Sequence, residues 1–216
     1  LKNLGLSYQK ARFASAHIDP EARQKWLEQT WPEILRLSKK RRGYLLFGDE
    51  ASFPQWGSLS YTWAPKGEQP TVKTSGSRRG YKVFGLIDYW TGKFFHKAIT
   101  GKFTSETYAE FLKEVISQTR KHLIVIQDGA RYHTSQAMME FFYDNRDRLT
   151  VFQMPAYSPD YNPIEILWKK IKQHGVHLKY FPKFEDLIAK VDQALSTMAR
   201  CPEEILAVFG FYKEKS

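Results

Sequence analysis

His122-Leu123-Ile124-Val125-Ile126-Gln127-Asp128 is the stretch that decides the fold. Its four residues Leu123–Ile126 are apolar without alternation, so the segment reads as a strand covered on both faces, at the centre of a sheet between helices. It ends on an acid, at the strand edge where open α/β sheets carry their ligand sites.

Working outward, Tyr44-Leu45-Leu46-Phe47-Gly48-Asp49 is a second short apolar run ending on an acid, too short for a helix. Lys82–Asp88 and Phe94–Thr100 read as two strands around the turn Tyr89-Trp90-Thr91-Gly92. Thr104 is an N-cap, and Tyr108, Phe111, Leu112, Val115 and Ile116 recur at the spacing of a buried helical stripe. Beyond Asp128 the pattern predicts a helix over 135–145, a strand over 149–153, a proline-fixed loop at Pro155, Pro159 and Pro163, and helices from Pro163 and from Phe184. Residues 51–80, rich in Gly, Pro, Ser and aromatics, read as a loop or irregular hairpin. Three meandering strands followed by helix-crossed strands predict an α/β fold: a ribonuclease H-like mixed five-stranded sheet flanked by helices.

The chain of 216 residues is long enough for one good core and carries a net charge of +10. Residues 1–48 hold ten Lys/Arg against four acids, with Lys39-Lys40-Arg41-Arg42 as a tight cluster. Asp19-Pro20 is a helix start, and Pro32 breaks or restarts that helix. We therefore divide the chain into a basic helical arm, 1–40, and a ribonuclease H-like domain, 41–216. No run of 18 apolar residues exists, so no membrane span is expected, and the single cysteine, Cys201, excludes an internal disulfide and suits a reducing, cytoplasmic compartment. A basic chain with six Trp and twelve Tyr suits a polyanion partner.

Asp49 and Asp128 end neighbouring strands if those strands are parallel, and Glu165 lies in the first turn of the helix that Asn162-Pro163 opens. Each acid has a local role available: a strand-end cap, a turn before Gly129, and a capping-box Glu. Together they form a hard-oxygen set that repels itself without a counter-charge and suits Mg2+. Two such ions, about 3.5–4 Å apart, support in-line phosphoryl displacement. Glu50 should face away from Asp49. The stripe Ile164, Leu167, Trp168, Ile171 is flanked by Lys169, Lys170 and Lys172, which suit a phosphate backbone or an ordinary solvated face.

Phe47-Gly48-Asp49-Glu50, Trp63-Ala64-Pro65-Lys66-Gly67, Gln127-Asp128-Gly129-Ala130-Arg131-Tyr132-His133 and Pro155-Ala156-Tyr157-Ser158-Pro159-Asp160-Tyr161-Asn162-Pro163-Ile164-Glu165 follow one another in an order that resembles the DDE transposases of the mariner-type superfamily, in their bacterial insertion-sequence branch. The resemblance covers about residues 44–200 and implies that Asp49, Asp128 and Glu165 are the catalytic, metal-binding triad, for Mg2+ with Mn2+ as a substitute. It implies cleavage of transposon-end phosphodiesters, transfer of the 3′-hydroxyl into target DNA, a homodimer or higher assembly on DNA, and residence with the bacterial nucleoid. His133 matches a family His and is expected at the DNA or the metal shell, or as a hydrogen-bonded structural residue. Leu4-Gly5-Leu6-Ser7-Tyr8 resembles the tail of a preceding helix-turn-helix region. DNA contacts are expected at Lys39, Lys40, Arg41, Arg42, Arg78, Arg79, His133, Lys169, Lys170 and Lys172. The rival readings are a hydrolytic nuclease of the same fold and a non-catalytic DNA-binding remnant. A relaxase is disfavoured: His174-Gly175-Val176-His177 lacks the His-x-His spacing.

Overall fold

The computed structural model describes residues 17–74 and 76–214. The helix-turn-helix resemblance at Leu4–Tyr8 lies outside them. Asp19 opens helix α1 (Pro20–Lys25) by accepting the Ala22 N–H at 3.0 Å. The ladder widens into a π-turn over Trp26–Thr30 and resumes as α2 (Trp31–Arg41). Pro32 explains the widening: it donates no N–H, and its ring collides with the carbonyl one turn back in a regular α-helix.

Strand β1 (Tyr44–Pro54), strand β2 (Gly80–Asp88) and strand β3 (Phe94–Ile99) follow, then α3 (Ser105–Ser117), β4 (Leu123–Gln127), α4 (Gln136–Asp144) and β5 (Leu149–Gln153). A 3-10 turn at Pro159–Tyr161 leads into α5 (Pro163–Gly175), α6 (Phe184–Ala199), α7 (Pro202–Ala207) and α8 (Gly210–Lys213). The sheet order is β3-β2-β1-β4-β5. The β1–β2 and β2–β3 pairs are antiparallel; β1–β4 and β4–β5 are parallel. This is the ribonuclease H-like mixed sheet that the sequence predicts. The strand expected at 44–49 is longer, because Glu50–Pro54 continues to pair with Gly80–Phe84.

Strand alternation divides the core in two. Leu45, Phe47, Ala51 and Phe53 face α2, α5, α6, α7 and α8; Leu46, Phe84 and Leu86 face α3 and α4. Asp49 belongs to the first set by parity and Glu50 to the second. The face of β2 that meets α5 is made flat by Gly85, where a Cβ would lie 2.6 Å from the Trp168 ring. Trp168, 1% exposed, fills that space and fixes how closely α5 approaches the sheet.

The division at residue 40 does not separate two bodies here. Trp26, Trp31 and Ile34 are buried in the same cluster as Phe47, Ile164 and Tyr212, and the Trp31 ring centroid lies 4.5 Å from that of Tyr212. The basic residues are the outer side of an amphipathic pair whose inner side completes the core. A mainly polar composition hides this, since three apolar residues suffice to dock two helices.

Candidate active site

The parallel register pairs Phe47 with Ile126. Two residues further on, Asp49 in mid-β1 stands level with Asp128, just past the carboxyl end of β4. Helix α5 brings Glu165 to them. Its N-terminus is pinned by Asn162, whose Nδ2 donates to the Gly48 carbonyl at 3.0 Å, one residue before Asp49. Asn162 makes no side-chain cap to α5, so the capping role that the sequence suggests is replaced by a tether between the helix and β1. Asp49, Asp128 and Glu165 line one cleft of about 430 Å3, with Asn162, Ser158, Pro159 and Met154 around them.

Crowding dominates the electrostatics. Burial, then the neighbouring Glu165, push the Asp49 carboxyl up to about 9. Burial also raises Glu165, against the nearby Lys172 ammonium. Asp128 goes the other way: His133 Nδ1 bonds its Oδ1 at 2.9 Å and the Ala130 N–H donates to it at 3.1 Å, holding it below the usual carboxylate range. Burial thus raises two of the acids, while hydrogen bonds hold the third down.

A hard divalent cation fits this set. The donors are carboxylate oxygens, the cleft is open to solvent, and Asn162 Oδ1 is buried beside them without a hydrogen-bond partner. Among the described residues no three His, Cys, Asp or Glu side chains close tightly enough to cage an ion unaided. His133 and the Ala130 N–H both engage Oδ1 of Asp128, which leaves Oδ2 for an ion.

Several expected contacts are placed elsewhere. His133 is 1% exposed, and its ring packs between Tyr108 and Tyr132 while bonding Asp128. It therefore is not a surface DNA contact; it orients a cleft acid from beneath. Lys39, Lys40, Arg41 and Arg42 are exposed at the end of α2, where Tyr44 N–H meets the His122 carbonyl at the amino edge of the sheet. The length of β4 separates them from the acids. Lys170 is engaged with Glu204 at 2.6 Å; Lys169 is exposed; Lys172 acts on Glu165. Arg78 and Arg79 precede β2 beside Pro54, on the acid side of the sheet, and line a groove with Trp56, Tyr81 and Lys82. The Arg79 guanidinium lies 4.0 Å over the Phe184 ring.

Sequence reasoning missed Asn162 as a tether and missed Tyr132, whose hydroxyl bonds Glu50 Oε2 at 2.5 Å on the opposite face of β1. That Glu50 faces away from Asp49 is as alternation predicts. No linear signal marks either tether, because both join segments more than 80 residues apart.

Residues 44–188 match the family described as DDE superfamily endonuclease, and the chain belongs to that family. It is 27% identical over 143 residues to the Tcb1 transposase of Caenorhabditis briggsae, covering 59% of this chain and 50% of the relative. It is 24% identical over 160 residues to an uncharacterized 39 kDa protein of insertion element IS630 from Shigella sonnei, covering 73% and 46%. The chain thus spans about half the length of these relatives. Among solved structures, the Mos1 mariner paired-end complex with Mn shares the fold, with a TM-score of 0.67, 15% identity, and coverage of 96% of this chain and 66% of the other.

Proposed function

We propose that the chain is the catalytic part of a DNA transposase and that Asp49, Asp128 and Glu165 together hold the divalent metal, Mg2+ or Mn2+, that serves phosphodiester cleavage and strand transfer. The observation that carries this is the convergence of three acids on one cleft, where burial and then the neighbouring Glu165 raise Asp49. A structural role does not repay such crowding, whereas a bound dication does. When bound, the metal supplies nucleophile activation and stabilises the leaving oxygen of an in-line displacement.

The residues divide the remaining work. Asp49, rigid in mid-strand, fixes one side of the site. His133 and the Ala130 N–H keep Asp128 ionised and oriented. Asn162 holds the start of α5 so that Glu165 faces Asp49. The groove of Arg78, Arg79 and Lys82 is the surface we assign to the DNA backbone on the acid side, together with the exposed Lys169 and with Lys172 of α5. One Mos1 structure of the same fold is a paired-end complex with the left transposon end, and on that likeness we assign DNA ends as the substrate and a dimer or larger assembly as the working form. Among the described residues no helix is long and apolar enough to cross a membrane.

The test is transfer of a 3′-hydroxyl DNA end into a plasmid with Mg2+ or Mn2+, with Asp128→Asn as control. Joined product lost in the variant supports the reading. Hydrolysis without joining supports the plain nuclease, and metal-indifferent DNA binding unaffected by Asp49→Ala supports a non-catalytic remnant.

A further inference from the structure

The loop between β5 and α5 delivers Glu165, yet it contains only one short 3-10 turn. It begins where the Met154 N–H meets the Gln127 carbonyl, passes Tyr157 at a φ of 55°, and reaches Asn162. A non-glycine residue in the left-handed region marks a path imposed from outside the loop. What grips it is helix α1. Arg23 Nη1 donates to Asp160 Oδ1 at 3.0 Å and to Ser158 Oγ at 3.3 Å, and Nη2 donates to Asp160 Oδ2 at 2.5 Å. The same guanidinium lies 4.1 Å over the Tyr161 ring. Tyr161 is held from behind by the Tyr212 hydroxyl, which donates to its carbonyl at 2.6 Å, and by the Trp26 ring.

One planar group from α1 thus meets three side chains of the four residues immediately before Asn162. Ser158 itself lines the acid cleft. The next links are Asn162 to the Gly48 carbonyl and the Glu165 N–H to the Asn162 carbonyl at 3.1 Å. Arg23 is mostly covered, its side chain 17% exposed, whereas Asp160 is 61% exposed. An exposed ion pair in isolation contributes little to stability. A bidentate fork that also stacks on a ring instead fixes direction, which a lysine ammonium cannot do.

We propose that Arg23 is a positioning residue for the metal site: by clamping Asp160, Ser158 and Tyr161 it sets the loop that presents Glu165, so that α1 governs the geometry of an acid it never touches. The inference rests on the reading of Glu165 as a metal ligand. Displacing α1 would open the site without altering any of its acids.

The test uses the full chain with Arg23→Ala, Arg23→Lys, Asp160→Ala and the Arg23→Ala/Asp160→Ala double variant. Two quantities are read: the Mn2+ dissociation constant by calorimetry without DNA, and kcat and KM for Mn2+-dependent nicking of supercoiled plasmid. The expected result is a loss of about 10–100-fold in Mn2+ affinity or kcat for each single variant, the range for residues that orient ligands, with KM unchanged. The double variant should be no worse than either single one, and Arg23→Lys, which keeps charge and fold, should recover little. Near-wild-type values in all variants, full rescue by lysine, multiplicative losses in the double variant, or a loss confined to KM would overturn the proposal. Glu165→Gln separates the two readings. If it binds Mn2+ and nicks normally, the assignment of Glu165 falls; if it is impaired while the Arg23 variants are not, only the positioning role falls.

Discussion

Replacing Asp49 with asparagine should make the metal-free protein more stable while removing its chemistry. In the folded chain burial and the neighbouring Glu165 hold the Asp49 proton to about pH 9, whereas the unfolded chain releases it near 3.8. The folded state therefore binds an extra proton between those values, and stability falls as pH rises through that window. At pH 7 the folded carboxyl is still neutral and the unfolded one ionised. The displaced titration spans about three pH units at 1.36 kcal/mol each, a ceiling of about 4 kcal/mol. The amide must itself be desolvated, which leaves on the order of 2 kcal/mol as the gain. For a chain of this length that is about 4–8 °C in Tm. Scanning calorimetry in EDTA at pH 7 would read it, and the two proteins should converge below about pH 3, where the wild-type carboxyl is neutral in both states. Excess Mn2+ should then raise the wild-type Tm and leave Asp49→Asn nearly unmoved. An Asp49→Asn protein no more stable than wild type at pH 7, or a gap that does not close at low pH, would refute the electrostatic reasoning.

Three further outcomes follow from the packing and the tethers. Trp31→Ala should cost about 3–5 kcal/mol in denaturant unfolding, as for a core aromatic; a surface-like loss below about 1 kcal/mol would return α2 to the status of an appended arm. Gly85→Ala forces a Cβ to within 2.6 Å of the Trp168 ring, and the displaced helix should cost about 1–3 kcal/mol, with Mn2+ affinity falling alongside the Tm. Asn162→Ala removes the Gly48 tether and should cost about 1–2 kcal/mol, with a loss of nicking larger than that instability explains; wild-type nicking would show that Glu165 needs no such guide.

The parts of the fold that were legible are those whose burial is written in one segment. Leu123–Ile126 is apolar on both faces because helices cover both, and the stripe from Ile164 to Ile171 repeats because one face of α5 meets the sheet. Asp49 and Asp128 could be paired as soon as both strands were placed side by side. What was hidden depends on partners far along the chain. Trp26, Trp31 and Ile34 sit among enough Lys and Arg to look like a solvated arm, and only Phe47 and Tyr212 across from them show a core. His133 is expected at the DNA or the metal shell, yet the Tyr108 and Tyr132 rings enclose it. Asn162 looks like a helix cap by position, and its direction is set by the Gly48 carbonyl, which no local pattern predicts. The basic residues are likewise sorted by topology: Arg78 and Arg79 share the acid edge of the sheet, whereas Lys39–Arg42 lie at the other.

The most direct measurement of the central claim is the position of Mn2+ by anomalous diffraction from crystals of the protein soaked in that ion. The account predicts an anomalous peak in the cleft between Asp49, Asp128 and Glu165, lost in Asp128→Asn crystals. A peak elsewhere, or one within that cleft that persists in Asp128→Asn, would contradict it.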